Sequence, residues 1–226
     1  MESFSLLETI LYDPTEGFYL LEGHLKRLTK ATEEFKSFPK PNIETITQQL
    51  NANLSDTPQR VRLLYNSEGK IKIEYTPLLT INSIDTLDQV THDMQPILKV
   101  ALDTQPTDTK TKFVLHKTTH RSIYNDARER VHAGANNNND SIFDVILWNK
   151  NHQVTETSIS NIAIGTMTHD GTFEWKTPSL DCGLLPGVFR QHLLNKGQLI
   201  ESKITTDDLI KSQETGDLID MYADLI

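Results

Sequence analysis

The sequence predicts an α+β fold, because patterns typical of strands and of helices both occur in its N-terminal half. Residues 60–65 and 70–75 alternate apolar and polar side chains around the turn-forming stretch 66–69, which indicates a β-hairpin. Apolar residues between His24 and Phe35 recur at the spacing of one helix face, with charged residues on the other faces. This half of the chain is therefore predicted to combine a sheet with helices.

Two further elements are expected in the same half. The apolar segment 4–11 is followed by turn-forming residues and a second apolar stretch, 18–21, so a hairpin should open the chain. Residues 43–54 repeat the helical spacing behind Pro41 and Asn42, which are typical of a helix start.

The C-terminal half is predicted to be richer in strands. A strand is expected at 113–115 and a helix at 121–131. Trp148 and Trp175 are interpreted as packing residues. Four more strands are expected, at 143–148, 160–164, 172–175 and 198–204. Two more helices are expected, at 187–195 and 206–211.

The polar stretch between the two halves is interpreted as a linker. Residues 103–110 carry no residue of the apolar types that build a core, and such a segment is expected to lie outside the packing. We therefore predict a small α+β domain over 1–102, a linker over 103–111, and a larger sheet-rich domain over 112–226.

Composition and charge exclude several classes of protein. The 226-residue chain has a formal net charge of -9, and its scattered basic residues argue against a nucleic-acid partner. No apolar run has the length of a membrane span and no secretory signal opens the chain, so a cytoplasmic protein without a membrane partner is expected. Cys182 is interpreted as an ordinary thiol of a reducing compartment. The histidine spacing matches no zinc pattern, so no metal site is predicted.

A sparse set of polar residues spread along the chain remains as the candidate site. Each also fits an ordinary role: a surface charge for the lysine, a cap or loop carboxylate for the glutamate, a surface ion pair with Glu34 for the arginine, and a strand-to-helix connection for the glycine turn. The set consists of Arg27 in His-Leu-Lys-Arg-Leu (24–28), Lys117 in His-Lys-Thr-Thr-His-Arg (116–121), Glu156 in Val-Thr-Glu-Thr-Ser-Ile-Ser-Asn (154–161), and the turn Gly-Leu-Leu-Pro-Gly-Val-Phe-Arg (183–190).

Taken in this order, the motifs resemble the class IV aminotransferase family, the pyridoxal 5'-phosphate (PLP) enzymes of fold type IV. That family includes branched-chain and D-amino-acid aminotransferases and 4-amino-4-deoxychorismate lyase. Thr-Pro at 177–178 and Asn-Lys-Gly at 195–197 extend the resemblance over nearly the whole chain. The sequence of residues 116–121, followed by Tyr124, is most similar to the fungal lyase-like branch of the family. The resemblance implies the D-amino-acid-aminotransferase-like fold, PLP in the cleft between two domains, and a homodimer.

The resemblance also implies roles for single residues. Lys117 would bind PLP covalently, which suits an amine that is nucleophilic when neutral. Glu156 would face the pyridine nitrogen and keep the ring protonated. The phosphate would be bound by the Arg27 guanidinium and by backbone amides at the start of a helix, from Gly187, Val188 and Phe189. Further cofactor or substrate contacts are expected from Thr119, Arg121, Tyr124 and Ser158.

The function implied is a lyase that forms 4-aminobenzoate and pyruvate from 4-amino-4-deoxychorismate, a step of folate biosynthesis. Two alternatives stay open: a branched-chain or D-amino-acid aminotransferase, and a non-catalytic scaffold of the same fold. The chain is expected to depart from the family in three respects. Family members usually carry a strand before the position of Phe4, and none is expected here. Leu20 stands where bacterial lyases carry a threonine, and 218–224 replaces a hydroxyl-rich segment near the phosphate.

Overall fold

The computed structural model describes residues 4–79, 87, 98–135, 141–215 and 218–222. The chain divides into two compact units, here called unit 1 and unit 2. Unit 1 comprises residues 1–83, 116–120 and 224–226, and unit 2 comprises residues 84–115 and 121–223. In this division the predicted linker, 103–111, falls inside unit 2.

Unit 1 is an antiparallel four-stranded sheet with two helices, as the sequence predicts. The strands are β1 (Ser5–Asp13), β2 (Gly17–Phe18), β3 (Gln59–Asn66) and β4 (Ile71–Pro77), in the order β2-β1-β3-β4. The helices are α1 (Leu21–Glu34) and α2 (Ile43–Leu50), the second continued by a 3₁₀ turn, Asn51–Asn53. The strand predicted at 18–21 is shorter than expected because α1 already begins at Leu21.

The core of unit 1 lies between the sheet and the helices. Strand β3 buries alternate residues, among them Val61 and Leu63, while its other face is half-buried. Helix α1 contributes Leu28 to the same cluster, and α2 contributes Ile46. Asn42 caps α2 by accepting a hydrogen bond from the Thr45 N–H at 3.0 Å, as its position before the helix predicts.

The described residues of unit 2 form two sheets and four helices. The three-stranded sheet has the order β5-β6-β7, and the four-stranded sheet has the order β10-β9-β8-β11. The strands are β5 (Val100–Leu102), β6 (Asp144–Trp148), β7 (Val154–Thr157), β8 (Asn161–Met167), β9 (Phe173–Pro178), β10 (Ile200–Ser202) and β11 (Leu218–Tyr222). The helices are α3 (Lys112–Leu115), α4 (Ser122–Arg130), α5 (Val188–Asn195) and α6 (Thr206–Thr215), with a 3₁₀ turn at Leu180–Cys182.

The sequence-based assignment of unit 2 needs correction at 113–115 and at β5, β7 and β11, three strands that it did not include. Residues 113–115, predicted as a strand, belong to the short helix α3, because so short an apolar run does not distinguish a strand from one helical turn. Strand β7 was not predicted as a strand. Its residues 154–157 are all buried although three of them are polar, so the apolar-polar alternation that marks a half-buried strand is missing.

Polar residues also fix the segment 103–111 within unit 2. The Asp103 carboxylate accepts hydrogen bonds from Arg130 Nε at 2.7 Å and Nη2 at 2.6 Å, and its backbone carbonyl accepts one from Trp148 Nε1 at 2.8 Å. The Thr107 N–H donates to the Trp148 carbonyl at 2.7 Å. Asp103 and Thr107 of this polar segment are therefore buried in unit 2, where the Asp103 carboxylate is paired with Arg130 and the Thr107 N–H is hydrogen-bonded.

Both tryptophans pack as expected. The Trp175 ring lies against Gly165, where a Cβ would approach the ring carbons to 2.8 Å, and Trp148 stacks on His152 with ring centroids 5.1 Å apart. Among the described residues, no helix combines the length and the apolar character that crossing a membrane requires.

Candidate active site

Glu156 is a buried carboxylate with hydrogen-bond donors on both oxygens. It lies in β7 and is 3% exposed. Oε1 accepts from the Tyr124 hydroxyl at 2.9 Å, and Oε2 accepts from the Leu185 N–H at 3.2 Å and from Asn161 Nδ2 at 3.5 Å. The donors come from α4, from the loop before α5 and from the start of β8. Glu156 is therefore neither a helix cap nor a solvated loop carboxylate.

Tyr124 is held in the protonated state beside Glu156. Burial raises the pKa of the Tyr124 hydroxyl well above 10, and the charge of Glu156 and its hydrogen bond raise it further. Near neutral pH the phenol therefore stays protonated and donates a hydrogen bond to the Glu156 carboxylate. The Arg121 guanidinium carbon lies 5.0 Å from the centroid of the Tyr124 ring, within range of a cation–π contact.

Arg121 and Ser158 take part in hydrogen bonds next to this carboxylate. Arg121 Nη2 donates to the Ser158 carbonyl at 2.6 Å. The buried Ser158 hydroxyl donates to Asp144 Oδ1 at 2.5 Å, and Arg128 Nη1 lies 3.1 Å from the same hydroxyl and 2.7 Å from Asp144 Oδ1. The Ser158 hydroxyl, expected to contact cofactor or substrate, thus has partners within unit 2. Arg128 and Asp144 were not among the residues that sequence reasoning assigned to the site.

Gly187 allows a close approach between the start of α5 and β8. Its φ of -61° is ordinary, so space and not conformation requires a glycine here. A Cβ at this position would lie 2.0 Å from Asn161 Oδ1. Asn161 Nδ2 donates to the Leu185 carbonyl at 3.0 Å as well as contacting Glu156. Asn161, which the sequence analysis gave no role, therefore connects the buried carboxylate to the start of the helix.

Helix α5 follows Gly187 directly and is fixed at its first turn. Val188 and Phe189 are its first residues, and both are buried. Arg190 is buried as well, donates from Nη2 to the Pro178 carbonyl at 2.8 Å, and pairs with Glu201. These contacts tie α5 to the ends of β9 and β10. The N-terminal end of this helix is consequently a rigid set of backbone amides.

In unit 1, Lys117 lies on a segment that pairs with β1. The Leu7 N–H donates to the Lys117 carbonyl at 3.0 Å, and the Thr119 N–H donates to the Ser5 carbonyl at 2.9 Å. The Ser5 N–H in turn donates to Thr119 Oγ1 at 2.9 Å. Lys117 is half-buried and Thr119 is exposed. The backbone of the predicted catalytic lysine is therefore held by the edge of a strand.

Arg27 is buried in unit 1 and is paired with a residue that sequence reasoning missed. The guanidinium donates to Glu8 from Nε at 2.9 Å and from Nη2 at 2.5 Å, and His24 Nδ1 lies 2.8 Å from Glu8 Oε2. Arg27 is thus a buried partner of Glu8 and not a residue of the protein surface, as the ordinary role considered for it would require. The sequence contained one signal for this pairing: Glu8 is a charged residue within the apolar segment 4–11.

The electrostatics of this cluster favour an ionised carboxylate. Burial alone would raise the pKa of Glu8, but the charge of Arg27 and the hydrogen bonds from His24 and Arg27 outweigh it and lower the pKa.

The candidate residues are divided between the two units. Lys117 and Arg27 belong to unit 1, whereas Glu156, Tyr124 and Gly187 belong to unit 2.

The two units and their polar clusters define a class of protein. An α+β unit carries an arginine on its first helix, and a sheet-rich unit carries a buried glutamate linked to a helix start. The model of the amino-transferase class IV family matches residues 5–215, and the chain belongs to that family, whose enzymes use PLP. The predicted fold type is confirmed.

Individual relatives are similar to different extents. The protein named "Putative aminodeoxychorismate lyase" from Schizosaccharomyces pombe is 33% identical over 207 residues, covering 89% of this chain and 78% of that protein. The mitochondrial branched-chain-amino-acid aminotransferase of Rattus norvegicus is 34% identical over 82 residues, covering 34% of this chain and 21% of that protein. The crystal structure of a "Putative amino-acid aminotransferase" from Mesorhizobium loti is 25% identical with a TM-score of 0.76, covering 98% of this chain and 95% of that one.

Proposed function

We propose that this chain is a PLP-dependent lyase that converts 4-amino-4-deoxychorismate into 4-aminobenzoate and pyruvate, a step of folate biosynthesis. The extent of the similarity carries this proposal. The similarity to the fungal protein named as an aminodeoxychorismate lyase spans 89% of the chain. The similarity to the rat branched-chain aminotransferase spans only 34% of it.

The residues of unit 2 fit the cofactor. When bound, PLP supplies an electron sink for a carbanion formed on the substrate. The Glu156 carboxylate, oriented by three donors and shielded from water, is suited to hold a proton on the pyridine nitrogen. The start of α5 at Gly187, Val188 and Phe189 suits a phosphate, because backbone amides and the helix dipole there favour an anion.

Two residues of unit 1 would complete the reaction machinery. Lys117 would hold PLP by a covalent bond to Nζ and, once the substrate amine has replaced it, would move protons at Nζ while pyruvate leaves. Arg27 would donate hydrogen bonds from its guanidinium to the phosphate. Tyr124 would act through Glu156, whereas Thr119, Arg121 and Ser158 are proposed as secondary contacts or supports. A homodimer is proposed from the family, and light scattering should then give twice the chain mass of 25.7 kDa.

An aminotransferase is the second candidate function. Its support is the structure from Mesorhizobium loti, which is named as an aminotransferase and covers 98% of this chain. Such an enzyme would use the same lysine and carboxylate but would return the amino group to a keto acid. A non-catalytic scaffold is the third candidate, motivated by the altered segment 218–224, of which 223 and 224 lie outside the described residues.

Product analysis separates these functions. Purified protein with PLP is incubated with 4-amino-4-deoxychorismate, and 4-aminobenzoate and pyruvate are measured. In parallel, branched-chain and D-amino acids are supplied with a 2-oxo acid acceptor. We expect 4-aminobenzoate and pyruvate in equal amounts. Keto-acid formation without 4-aminobenzoate would establish the aminotransferase instead. A protein that retains no PLP absorbance after gel filtration and forms neither product would establish the scaffold.

The lysine is tested by borohydride reduction followed by peptide mapping. We expect the phosphopyridoxyl group on Lys117, and a Lys117→Ala variant that is not labelled and forms no product. Lys110→Ala removes an exposed lysine that precedes Lys117 in the sequence and serves as the matched control. Labelling that persists in Lys117→Ala would show that another lysine binds the cofactor.

A further inference from the structure

We propose that Glu8 is a positioning residue that fixes the Arg27 guanidinium for a phosphate group of the cofactor, and that His24 in turn fixes Glu8. The inference rests on the proposed function, because it assigns the phosphate to Arg27. It adds two residues, Glu8 and His24, that act through another side chain and do not touch the substrate.

The geometry leaves one edge of the guanidinium directed away from Glu8. Glu8 is 1% exposed and binds the edge formed by Nε and Nη2 of Arg27. A guanidinium is planar and its five N–H groups are arranged in a fixed fork, so binding one edge sets the direction of the other. Glu8 therefore sets the plane and the direction in which Arg27 presents its remaining N–H groups to the proposed phosphate. A phosphate oxygen is the acceptor that such a fork suits.

Charge gives a reason for a carboxylate at this position. Arg27 is 7% exposed, and a buried cation without a counter-ion is costly. Glu8 supplies that counter-ion, and His24 Nδ1 at 2.8 Å provides a further hydrogen bond to Glu8 Oε2. The lowered pKa of Glu8 keeps the carboxylate ionised near neutral pH. The arginine is thus oriented before any ligand arrives, so that less ordering has to accompany binding.

Strand β1 connects this cluster with the proposed catalytic lysine. Glu8 lies on β1, and its neighbour Leu7 donates a backbone hydrogen bond to the Lys117 carbonyl at 3.0 Å. One strand therefore holds both residues of unit 1 that would bind the cofactor, Lys117 through the backbone and Arg27 through a side chain.

The test compares PLP with pyridoxal, which has the same ring and aldehyde but no phosphate. Affinities for both are measured by spectral titration of wild type, of Glu8→Gln and of Glu33→Gln, which alters an exposed glutamate of α1 as the matched control. We expect Glu8→Gln to weaken PLP binding about tenfold or more, by analogy with the loss seen when a residue that orients a metal ligand is removed. Pyridoxal binding should stay unchanged in that variant, and Glu33→Gln should resemble wild type for both ligands.

Each other outcome is informative. Equal losses for PLP and pyridoxal, or no loss for either, would overturn the positioning role while leaving the proposed function intact. Wild type that binds neither ligand would overturn the proposed function and this inference with it. If Glu8→Gln does not fold, the same titrations are made with two variants of His24. His24→Asn keeps a donor near the position of Nδ1 and should retain the preference for PLP, whereas His24→Leu should reduce it, and equal preferences in these two variants would overturn the proposal.

Discussion

At the scale of single residues, the support of Glu156 by Tyr124 can be measured. Tyr124→Phe removes the hydroxyl that donates to Oε1 at 2.9 Å and leaves a buried carboxylate oxygen without that donor. We expect the free energy of unfolding to fall by about 1–3 kcal/mol in urea denaturation, because an unsatisfied buried group incurs its full desolvation cost.

The control is Tyr75→Phe in unit 1. The Tyr75 hydroxyl donates to the backbone carbonyls of Gln49 and Leu50 at 3.0 and 2.9 Å, and the residue is half-buried. Its loss should therefore be about 1 kcal/mol or less, because water can replace the phenol at those carbonyls. Equal losses in the two variants would contradict the interpretation that Tyr124 supports a buried charge.

The ion pair of Glu8 predicts a pH dependence of stability. The folded-state pKa of Glu8 is lower than its ordinary value of 4.5, so its contribution is fully present above that value and disappears as the pH falls through the lower, folded-state pKa. Glu8→Gln should lower the free energy of unfolding by about 3 kcal/mol near neutral pH, as removal of one member of a buried pair does. In a series of urea denaturations the difference from wild type should shrink below a pH of about 4.5. A difference that stays constant down to acid pH would contradict the assignment.

At the scale of elements, the end of α4 contains a residue whose backbone favours glycine. His132 follows the C-cap Val131 and has a φ of 56°. Its N–H donates to the Glu129 carbonyl at 3.1 Å, and the Ala133 N–H donates to the Arg128 carbonyl at 2.9 Å, which together form a Schellman motif. His132→Gly should raise the free energy of unfolding by about 1 kcal/mol relative to His132→Ala, since both lose the imidazole and only alanine keeps the strain. Equal stabilities in thermal denaturation would contradict this account.

The elements also show which parts of the fold and site can be predicted from sequence. Strand β3 and helix α1 were predictable because one face is buried and the other is not, and the apolar spacing records this directly. Strand β7 carries Glu156 between two buried threonines, so no apolar period marks it. The glutamate was found by resemblance. Its donors, Tyr124 and Asn161, come from other elements, and no spacing rule connects them to it.

At the scale of the whole molecule, the order of residues along the chain does not follow the division into units. Residues 116–120, which include Lys117, belong to unit 1, although residues of unit 2 precede and follow them. A single boundary drawn along the sequence cannot describe this arrangement. The reason is physical: backbone hydrogen bonds to Ser5 and Leu7 of β1 attach the segment to the first sheet. Composition carries no trace of such pairing, because any residue except proline can form it.

Cofactor binding should appear as a change in the stability of the whole chain. A ligand that binds only the folded protein stabilises it by mass action, by about 2.7 kcal/mol when the free ligand exceeds its dissociation constant 100-fold. We expect the melting temperature measured by differential scanning fluorimetry to rise with the logarithm of PLP concentration in wild type and in the control Lys110→Ala. Lys117→Ala should respond less, because only the non-covalent contacts of the ring and the phosphate remain. If the melting temperature of Lys117→Ala rose as much as that of wild type, the covalent bond would have to lie elsewhere, and if wild type did not respond at all, the chain would fold without taking up the cofactor of its family.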